Sequence, residues 1–322
     1  MYFRAALMAC WAVFAFCGPA TAEPNYPTRP VKIVVPYPAG GSSDAIARII
    51  AQQLGERLGQ SFVVENHGGA GGTMGTAAVA QSQPDGYTLA LVVDAHAINP
   101  SVFPNLPFDA VKDFRPLAFI GRAPLILLVP KTSPFNSAAD IVQAARAKPA
   151  SINLGTLGRG SQPELAGYLF AQKAGVTFVE VPYAGGGAVV KDIVSGAIQA
   201  TFITQGSVAS LVRAGDLKGL GVTSPRRTAL FPDVPTMKEL GYDFTSEYWF
   251  GLLAPANIPE PIAQKLETEI LSILSLPEFN QRVAAFGVVV EPMAGRAFAD
   301  YIKSEREKWA KVMADKGAGN RR

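Results

Sequence analysis

The chain contains very few of the side chains that most often carry out catalysis or bind metal ions. Its 322 residues include two histidines, His67 and His96, and two cysteines, Cys10 and Cys17. No H-E-x-x-H or C-x-x-C sequence occurs, so a zinc site has no ligand set. The G-x-S-x-G turn that presents a serine nucleophile is also absent. These absences predict a protein that is not an enzyme and that holds no metal and no cofactor.

An excess of one charge is missing as well. There are 29 Lys and Arg residues against 26 Asp and Glu residues, which leaves a formal net charge of +3. No run of basic residues interleaved with aromatic residues is present, so we expect no nucleic-acid partner. Beyond the N-terminus, no apolar run approaches the roughly 20 residues that a membrane-spanning helix needs. We therefore expect a soluble mature protein, and we expect it to be a monomer.

Both cysteines lie in an N-terminal segment of distinct composition. Arg4 precedes an unbroken apolar run over residues 5–16, and the small residues Ala20 and Ala22 follow it. This order is typical of a secretory signal peptide, which we place at residues 1–22 with cleavage after Ala22. The alternative, a membrane anchor, would need a longer apolar run. The mature chain then has no cysteine, and export without disulfides fits the bacterial periplasm.

Short β-branched runs alternate with amphipathic stretches along the mature chain. A strand-like run at residues 31–35 precedes a helical stretch at 44–58, and another at 177–181 precedes one at 188–195. In the first helical stretch Ile46, Ile50 and Leu54 recur every four residues and form one apolar stripe. The alternation predicts an α/β fold with mainly parallel sheets flanked by helices. At this length the chain is expected to divide into two lobes.

A glycine-bearing segment occurs twice. PYPAGGSSD (36–44) reads as a strand end, two glycines and the first turn of a helix, and VPYAGGG (181–187) repeats this order. Glycines at a helix start leave backbone N–H groups free, and the helix dipole adds partial positive charge, so such a terminus attracts anions. Each segment alone could be a tight strand-to-helix connection without a ligand. Together they favour a carboxylate site in a cleft between the lobes.

Four further side chains have a binding and a structural interpretation. Arg159, between two glycines, is either solvated or a partner for an anion. Ser161 begins an S-x-x-E capping box. His96 follows a strand and either lines the cleft or stabilises its loop through a backbone hydrogen bond. Asp44 either supports its helix through the dipole or faces a ligand ammonium group.

Eight short segments follow one another in a characteristic order. They are PYPAGGSSD (36–44), VENHGGAGGTMG (64–75), PDGYTL (84–89), HAINPSVF (96–103), GRGSQPELAG (158–167), VPYAGGGAVVKD (181–192), FPDVPTMKELG (231–241) and WFGLLAPANIP (249–259). In this order they resemble the tripartite tricarboxylate transporter receptor family, also called the Bug family. The resemblance covers essentially the whole mature chain.

The resemblance implies a fold and a function. The fold is a two-lobed, type II-like periplasmic binding protein fold with a hinged cleft, in which lobe 1 comprises residues 23–124 and 248–322 and lobe 2 comprises residues 125–247. The implied function is capture of a small carboxylate, a di- or tricarboxylate with an aliphatic or aromatic spacer, for transmembrane permease subunits of the transporter. Two alternatives remain open: a ligand-sensing receptor for a membrane two-component kinase, and an amino-acid-binding member of the family.

The repeated glycine-bearing segment and the resemblance together predict the ligand-binding residues. In the family the two glycine-bearing loops hold ligand carboxylates through backbone amides and ordered water. The predicted residues are Tyr37, Ala39, Gly40, Gly41, Ser42, Asp44, His96, Arg159, Ser161, Tyr183, Gly185, Gly186 and Gln205.

Overall fold

A computed structural model describes residues 25–103, 105–183 and 185–319. The predicted signal peptide, with both cysteines, lies outside the described residues. The strands are β1 Val31–Val35, β2 Phe62–Asn66, β3 Thr88–Val93, β4 Phe114–Pro130, β5 Asn153–Thr156, β6 Val179–Pro182, β7 Ala200–Thr204, β8 Leu217–Val222, β9 Glu247–Pro255 and β10 Val289–Ala294. The helices are α1 Ser42–Leu58, α2 Thr73–Ala80, α3 Ala95–Val102, α4 Ala138–Ala147, α5 Gln162–Ala174, α6 Gly186–Ser195, α7 Gln205–Arg213, α8 Glu260–Leu274, α9 Pro277–Ala284 and α10 Gly295–Gly319. None of the described helices is long and apolar enough to cross a membrane.

The strands form two sheet sections that share the long strand β4. In the first section the order is β2-β1-β3-β9-β4, and β10 also pairs with β4. The second section continues as β4-β7-β5-β6, with β8 paired to β4 as well. The pairing of β4 with β9 ends at Pro124 opposite Glu247, and its pairing with β7 begins at Leu125. The protein thus has the α/β class that the sequence predicts. Its helices pack on a sheet in which one strand, β4, pairs with different neighbours along its length.

The sequence predicts mainly parallel sheets, whereas the described sheet is mixed. Among the described strand pairs, β1 is parallel to β2 and β3, and β5 is parallel to β6 and β7. The five pairs made by β4 or β9 are antiparallel. Parallel neighbours need a crossover connection such as a helix. β4 and β9 instead carry the chain between the two sections and run against their neighbours, so each section is mixed.

The apolar stripe of α1 packs as the sequence predicts. Ile46, Ile50 and Leu54 are fully buried and belong to the same core as Ile33 of β1 and Leu266 of α8. Each buried side chain of this size contributes about 1.5–3 kcal/mol relative to its exposed state. The C-terminal helix α8 therefore returns to the first section and covers α1.

The last helix, α10, contacts both sections. Near its start Phe298 packs edge-on against Phe119 of β4, with ring centroids 5.6 Å apart. Further along, Trp309 is fully buried in the core that contains Leu165 of α5, and Lys316 Nζ lies 2.7 Å from Glu164 Oε1. Besides β4 and β9, α10 therefore also joins the two sections. The lobe limits at residues 124/125 and 247/248 stay a prediction.

Candidate functional site

A cavity of about 830 Å³ lies between the two sheet sections. Residues of the first section that line it are Tyr37, Pro38, Ala39, Gly40, Gly41, Ser42, Ser43, Ala70, Gly71, Val93, Asp94, Ala95, Asn99, Phe103, Ala123, Tyr248, Phe250 and Phe286. Residues of the second section are Leu157, Arg159, Gly160, Ser161, Gln162, Pro163, Gly186, Ile203, Thr204 and Ser207. Its volume is in the range of sites for small molecules.

The first glycine-bearing loop enters α1 with its backbone facing the cavity. Gly40 has φ +88°, a conformation that favours glycine. Gly41 is the N-cap of α1 with φ −83° and ψ 174°, and no side chain caps this helix. The left-handed conformation therefore belongs to Gly40, and Gly41 leaves the N-terminal N–H groups of α1 without a side-chain acceptor.

Asp44 supports this loop and does not line the cavity. Its Oδ2 accepts hydrogen bonds from Gly40 N at 3.0 Å and from Arg48 Nε at 3.1 Å. The hydrogen bond from Arg48 is the largest influence that lowers the pKa of the Asp44 carboxyl below its ordinary value. The structure thus gives Asp44 the supporting role of the two that the sequence left open.

The second glycine-bearing loop brings only part of its predicted residues to the cavity. Gly185 is the extended N-cap of α6 and no side chain caps it, while Gly186 lines the cavity. Tyr183 does not line it, because its hydroxyl donates a hydrogen bond to Asp192 Oδ2 at 2.9 Å. The tyrosine therefore packs within its own section.

The segment around Arg159 forms a third side of the cavity. Arg159 is exposed, lines the cavity and makes no ion pair with any described residue. Ser161 caps α5 by accepting from Glu164 N, and Glu164 Oε2 accepts from Gly160 N. The carboxylate of Glu164 thus binds a glycine N–H four residues earlier, as Asp44 does in the first loop. Arg159 is available as a partner for an anion.

Four helices begin at the cavity wall. Their first residues, which all line the cavity, are Ser42 of α1, Ala95 of α3, Gln162 of α5 and Gly186 of α6. Helix N-termini present unpaired N–H groups and the positive end of the dipole, so their convergence favours a ligand with more than one negative group. The described residues contain no cluster of three or more His, Cys, Asp or Glu side chains suited to a metal ion.

The prediction that His96 lines the cleft is wrong. The side chain is 3% exposed, and its Nε2 lies 2.8 Å from the carbonyl oxygen of Ala110. Its ring contacts Phe114 edge-on, with centroids 5.0 Å apart. Asp94 and His96 are two positions apart at the start of α3, where the helical rotation sends their side chains to different faces. His96 has the loop-stabilising role that the sequence offered as its alternative.

The burial of His96 predicts a pH-dependent stability. Burial is the main cause that lowers the pKa of its imidazole from 6.5 to about 4. The unfolded chain protonates His96 below about pH 6.5, whereas the folded protein does so only near pH 4, so acidification across this window favours unfolding by up to about 3 kcal/mol. When the pH is lowered from about 7.5 to about 5, we expect the free energy of unfolding to fall by about 2 kcal/mol less in His96→Gln than in the wild type.

Urea denaturation at the two pH values measures this difference. Gln is chosen because its amide can still donate to the Ala110 carbonyl. His67→Gln is the matched control, since the His67 side chain is 47% exposed. Equal losses in His96→Gln and the wild type would contradict the prediction.

The structure therefore sorts the predicted residues into two groups. Eight line the cavity: Tyr37, Ala39, Gly40, Gly41, Ser42, Arg159, Ser161 and Gly186. Five do not: Asp44, His96, Tyr183, Gly185 and Gln205. Gln205 is 2% exposed, and its Oε1 accepts a hydrogen bond from Thr228 Oγ1 at 2.7 Å.

Several polar residues that line the cavity were not predicted from the sequence. Asp94 directly follows β3, Gln162 follows Ser161, and Thr204 and Ser207 flank the start of α7. The position of these residues in the sequence could have indicated them, because ligands of open α/β sheets bind outside the carboxyl ends of the strands. Asp94 and Thr204 both lie at such an end.

Comparisons with known proteins agree with this geometry. A sequence model described as "Tripartite tricarboxylate transporter family receptor" matches residues 46–318. The chain belongs to this family. The protein BugT of Bordetella pertussis is 34% identical over 313 residues, which cover 95% of each chain.

Two solved structures show the same fold. The periplasmic binding protein BugD is 31% identical, with a TM-score of 0.80 over 91% of this chain and 99% of its own. An R. palustris protein solved with adipate is 31% identical, with a TM-score of 0.82 over 91% of this chain and 98% of its own. The predicted two-lobed fold and the predicted family are confirmed. The protein is a periplasmic solute-binding receptor of the Bug family.

Proposed function

We propose that this receptor captures a non-amino di- or tricarboxylate, with an aliphatic or aromatic spacer, in the cavity between its lobes. It then delivers the ligand to the transmembrane permease of a tripartite tricarboxylate transporter. The receptor works as a monomer and performs no chemistry on its ligand. Its export depends on the predicted signal peptide at residues 1–22.

The convergence of uncapped helix N-termini carries the proposal. α1 begins after Gly41 and α6 begins after Gly185, and neither helix has a side-chain cap. Gly41 and Gly186 line one cavity from opposite sheet sections. Two such donor sets suit two carboxylate groups, one at each end of a small ligand. Adipate, a dicarboxylate, accompanies the R. palustris relative.

The surroundings of Asp44 favour a ligand without an amino group. An ammonium group in the first loop would need an anionic partner, and Asp44 is the acidic residue closest to it in sequence. Its carboxylate is already paired with Arg48, whose Nη2 lies 2.9 Å from Asp44 Oδ1. The neutral backbone donors bind the two carboxylates and do not restrict the spacer that joins them, so the spacer can be aliphatic or aromatic.

A panel of carboxylates tests the proposed function by thermal stabilisation. Succinate, malate, citrate, adipate and benzene dicarboxylates are compared with aspartate and glutamate. A ligand at a hundred times its dissociation constant adds about 2.7 kcal/mol to the free energy of unfolding. We expect at least one di- or tricarboxylate without an amino group to raise the melting temperature.

Adipamide is the matched control ligand, since it has the length of adipate but no charge, and it is expected to have no effect. Stabilisation by aspartate or glutamate alone would contradict the proposal and support the amino-acid-binding alternative.

A further inference from the structure

A buried carboxyl group lines the cavity without a complete set of partners. Asp94 lies directly after β3, at the N-cap of α3, and is 1% exposed. It lines the cavity, and its Oδ1 has no hydrogen-bond partner among the described residues. Buried polar atoms in native proteins are nearly always paired, so an orphaned one at a cavity wall points to a ligand.

A buried amide lies opposite Asp94, on the second sheet section. Gln162, the first residue of α5, is fully buried and lines the same cavity. Its Oε1 accepts a hydrogen bond from Ser246 Oγ at 2.5 Å, and this contact fixes the orientation of the amide. Its Nε2 atom makes no close hydrogen bond to any described residue, but the amide faces Asp94 and lowers the pKa of that carboxyl. Asp94 and Gln162, one from each section, thus form a facing polar pair at the cavity wall, and Nε2 carries a second N–H that can donate to a ligand.

The groups that face Asp94 disfavour the ionised form of its carboxyl group. Burial is the main cause that raises the pKa of Asp94 well above its ordinary value, and the Glu305 carboxylate on α10 raises it further. The Gln162 side chain and the Ala95 N–H oppose this shift without reversing it. Tyr37 and Tyr248 also face Asp94, and burial raises the pKa of both phenols. These neighbours supply no positive charge to Asp94.

We propose that Asp94 acts as a neutral carboxylic acid that donates a hydrogen bond to a ligand carboxylate or hydroxyl oxygen, with Gln162 Nε2 as a second donor. An ionised Asp94 would repel a carboxylate, whereas a protonated one can donate to it. A ligand ammonium group at this position would lose its water and gain no anionic partner. Asp94 thus selects non-amino carboxylates against amino acids. This inference rests on the proposed function.

Matched ligands and matched variants test the role of Asp94. Glutarate and L-glutamate differ by one ammonium group, and calorimetric titration at about pH 7.5 compares their affinities. We expect the wild type to bind glutarate at least about tenfold more tightly than glutamate. Asp94→Asn, which keeps the shape and a donor, should bind glutarate within about threefold of the wild type, while Asp94→Leu should lose about tenfold or more. Asp300→Asn, at an exposed side chain of α10, is the control.

Infrared spectroscopy reads the protonation state directly and does not depend on the ligand. The C=O stretch of protonated carboxyl groups is expected in the wild type at about pH 7.5 and is expected to weaken in Asp94→Asn, where the remaining band belongs to Glu247, whose pKa burial raises to about 7. A wild-type spectrum without this band, or an unchanged band in Asp94→Asn, would overturn the proposal. Tighter binding of glutamate than glutarate, or glutarate affinity that rises tenfold in Asp94→Asn, would also overturn it. Failure of every carboxylate in the thermal panel would instead contradict the proposed function, so the two failures are distinguishable.

Discussion

Replacing Gly41 by valine is expected to weaken carboxylate binding by at least about tenfold while changing the melting temperature little. A Cβ atom at this position meets no protein atom within 4 Å, and Gly41 lines the cavity. The backbone at Gly41 has φ −83°, which a side-chain-bearing residue adopts without strain. The added side chain therefore occupies ligand space and screens the N–H groups of α1, at a small cost at the N-cap.

Calorimetric titration with the di- or tricarboxylate that most stabilises the wild type in the thermal panel measures the loss, and Gly187→Val is the matched control. A Cβ atom added at Gly187 also meets no protein atom within 4 Å, but Gly187 does not line the cavity. We expect the control to bind this carboxylate as the wild type does. Equal affinity for Gly41→Val and the wild type would show that the ligand does not approach the first loop.

Replacing Gly206 by valine is expected to separate the lobes and to reduce carboxylate affinity about tenfold or more. Gly206 of α7, in the second sheet section, lies against the backbone of Phe286 and Gly287, which precede β10 of the first section. A Cβ atom at Gly206 would overlap the carbonyl carbon of Phe286. Backbone atoms at such a contact cannot move aside as a flexible side chain can. The sections must therefore part, which pulls the donors of α1 and α6 away from each other.

Small-angle scattering and titration with the same carboxylate test this second substitution together. The radius of gyration should increase relative to the wild type, and affinity should fall. Ser210→Val is the matched control, because Ser210 is an exposed residue of the same helix. An unchanged radius of gyration with unchanged affinity would show that this contact does not hold the lobes at their binding distance.

Local sequence patterns predicted much of the fold and part of the site. The four-residue spacing of Ile46, Ile50 and Leu54 predicted the buried face of α1, because helical period depends only on neighbouring residues. The paired glycines at the starts of α1 and α6 predicted the two uncapped N-termini. Strand direction could not be predicted in the same way. The apolar pattern of β4 is identical whether its neighbour runs parallel or antiparallel, and only the path of the chain decides it.

The sequence by itself determined the family, the α/β class and the two glycine-bearing loops, because these properties reside in contiguous segments. Only the tertiary structure decided which side chains meet in the cavity. Asp94, Gln162 and Tyr248 come from three distant segments, and they share one cavity because β4 and β9 connect the two sheet sections there. The tertiary structure also placed the His96 side chain in the core and paired the Asp44 carboxylate with Arg48. Side-chain direction and the choice between competing partners depend on packing between distant segments, which no local pattern contains.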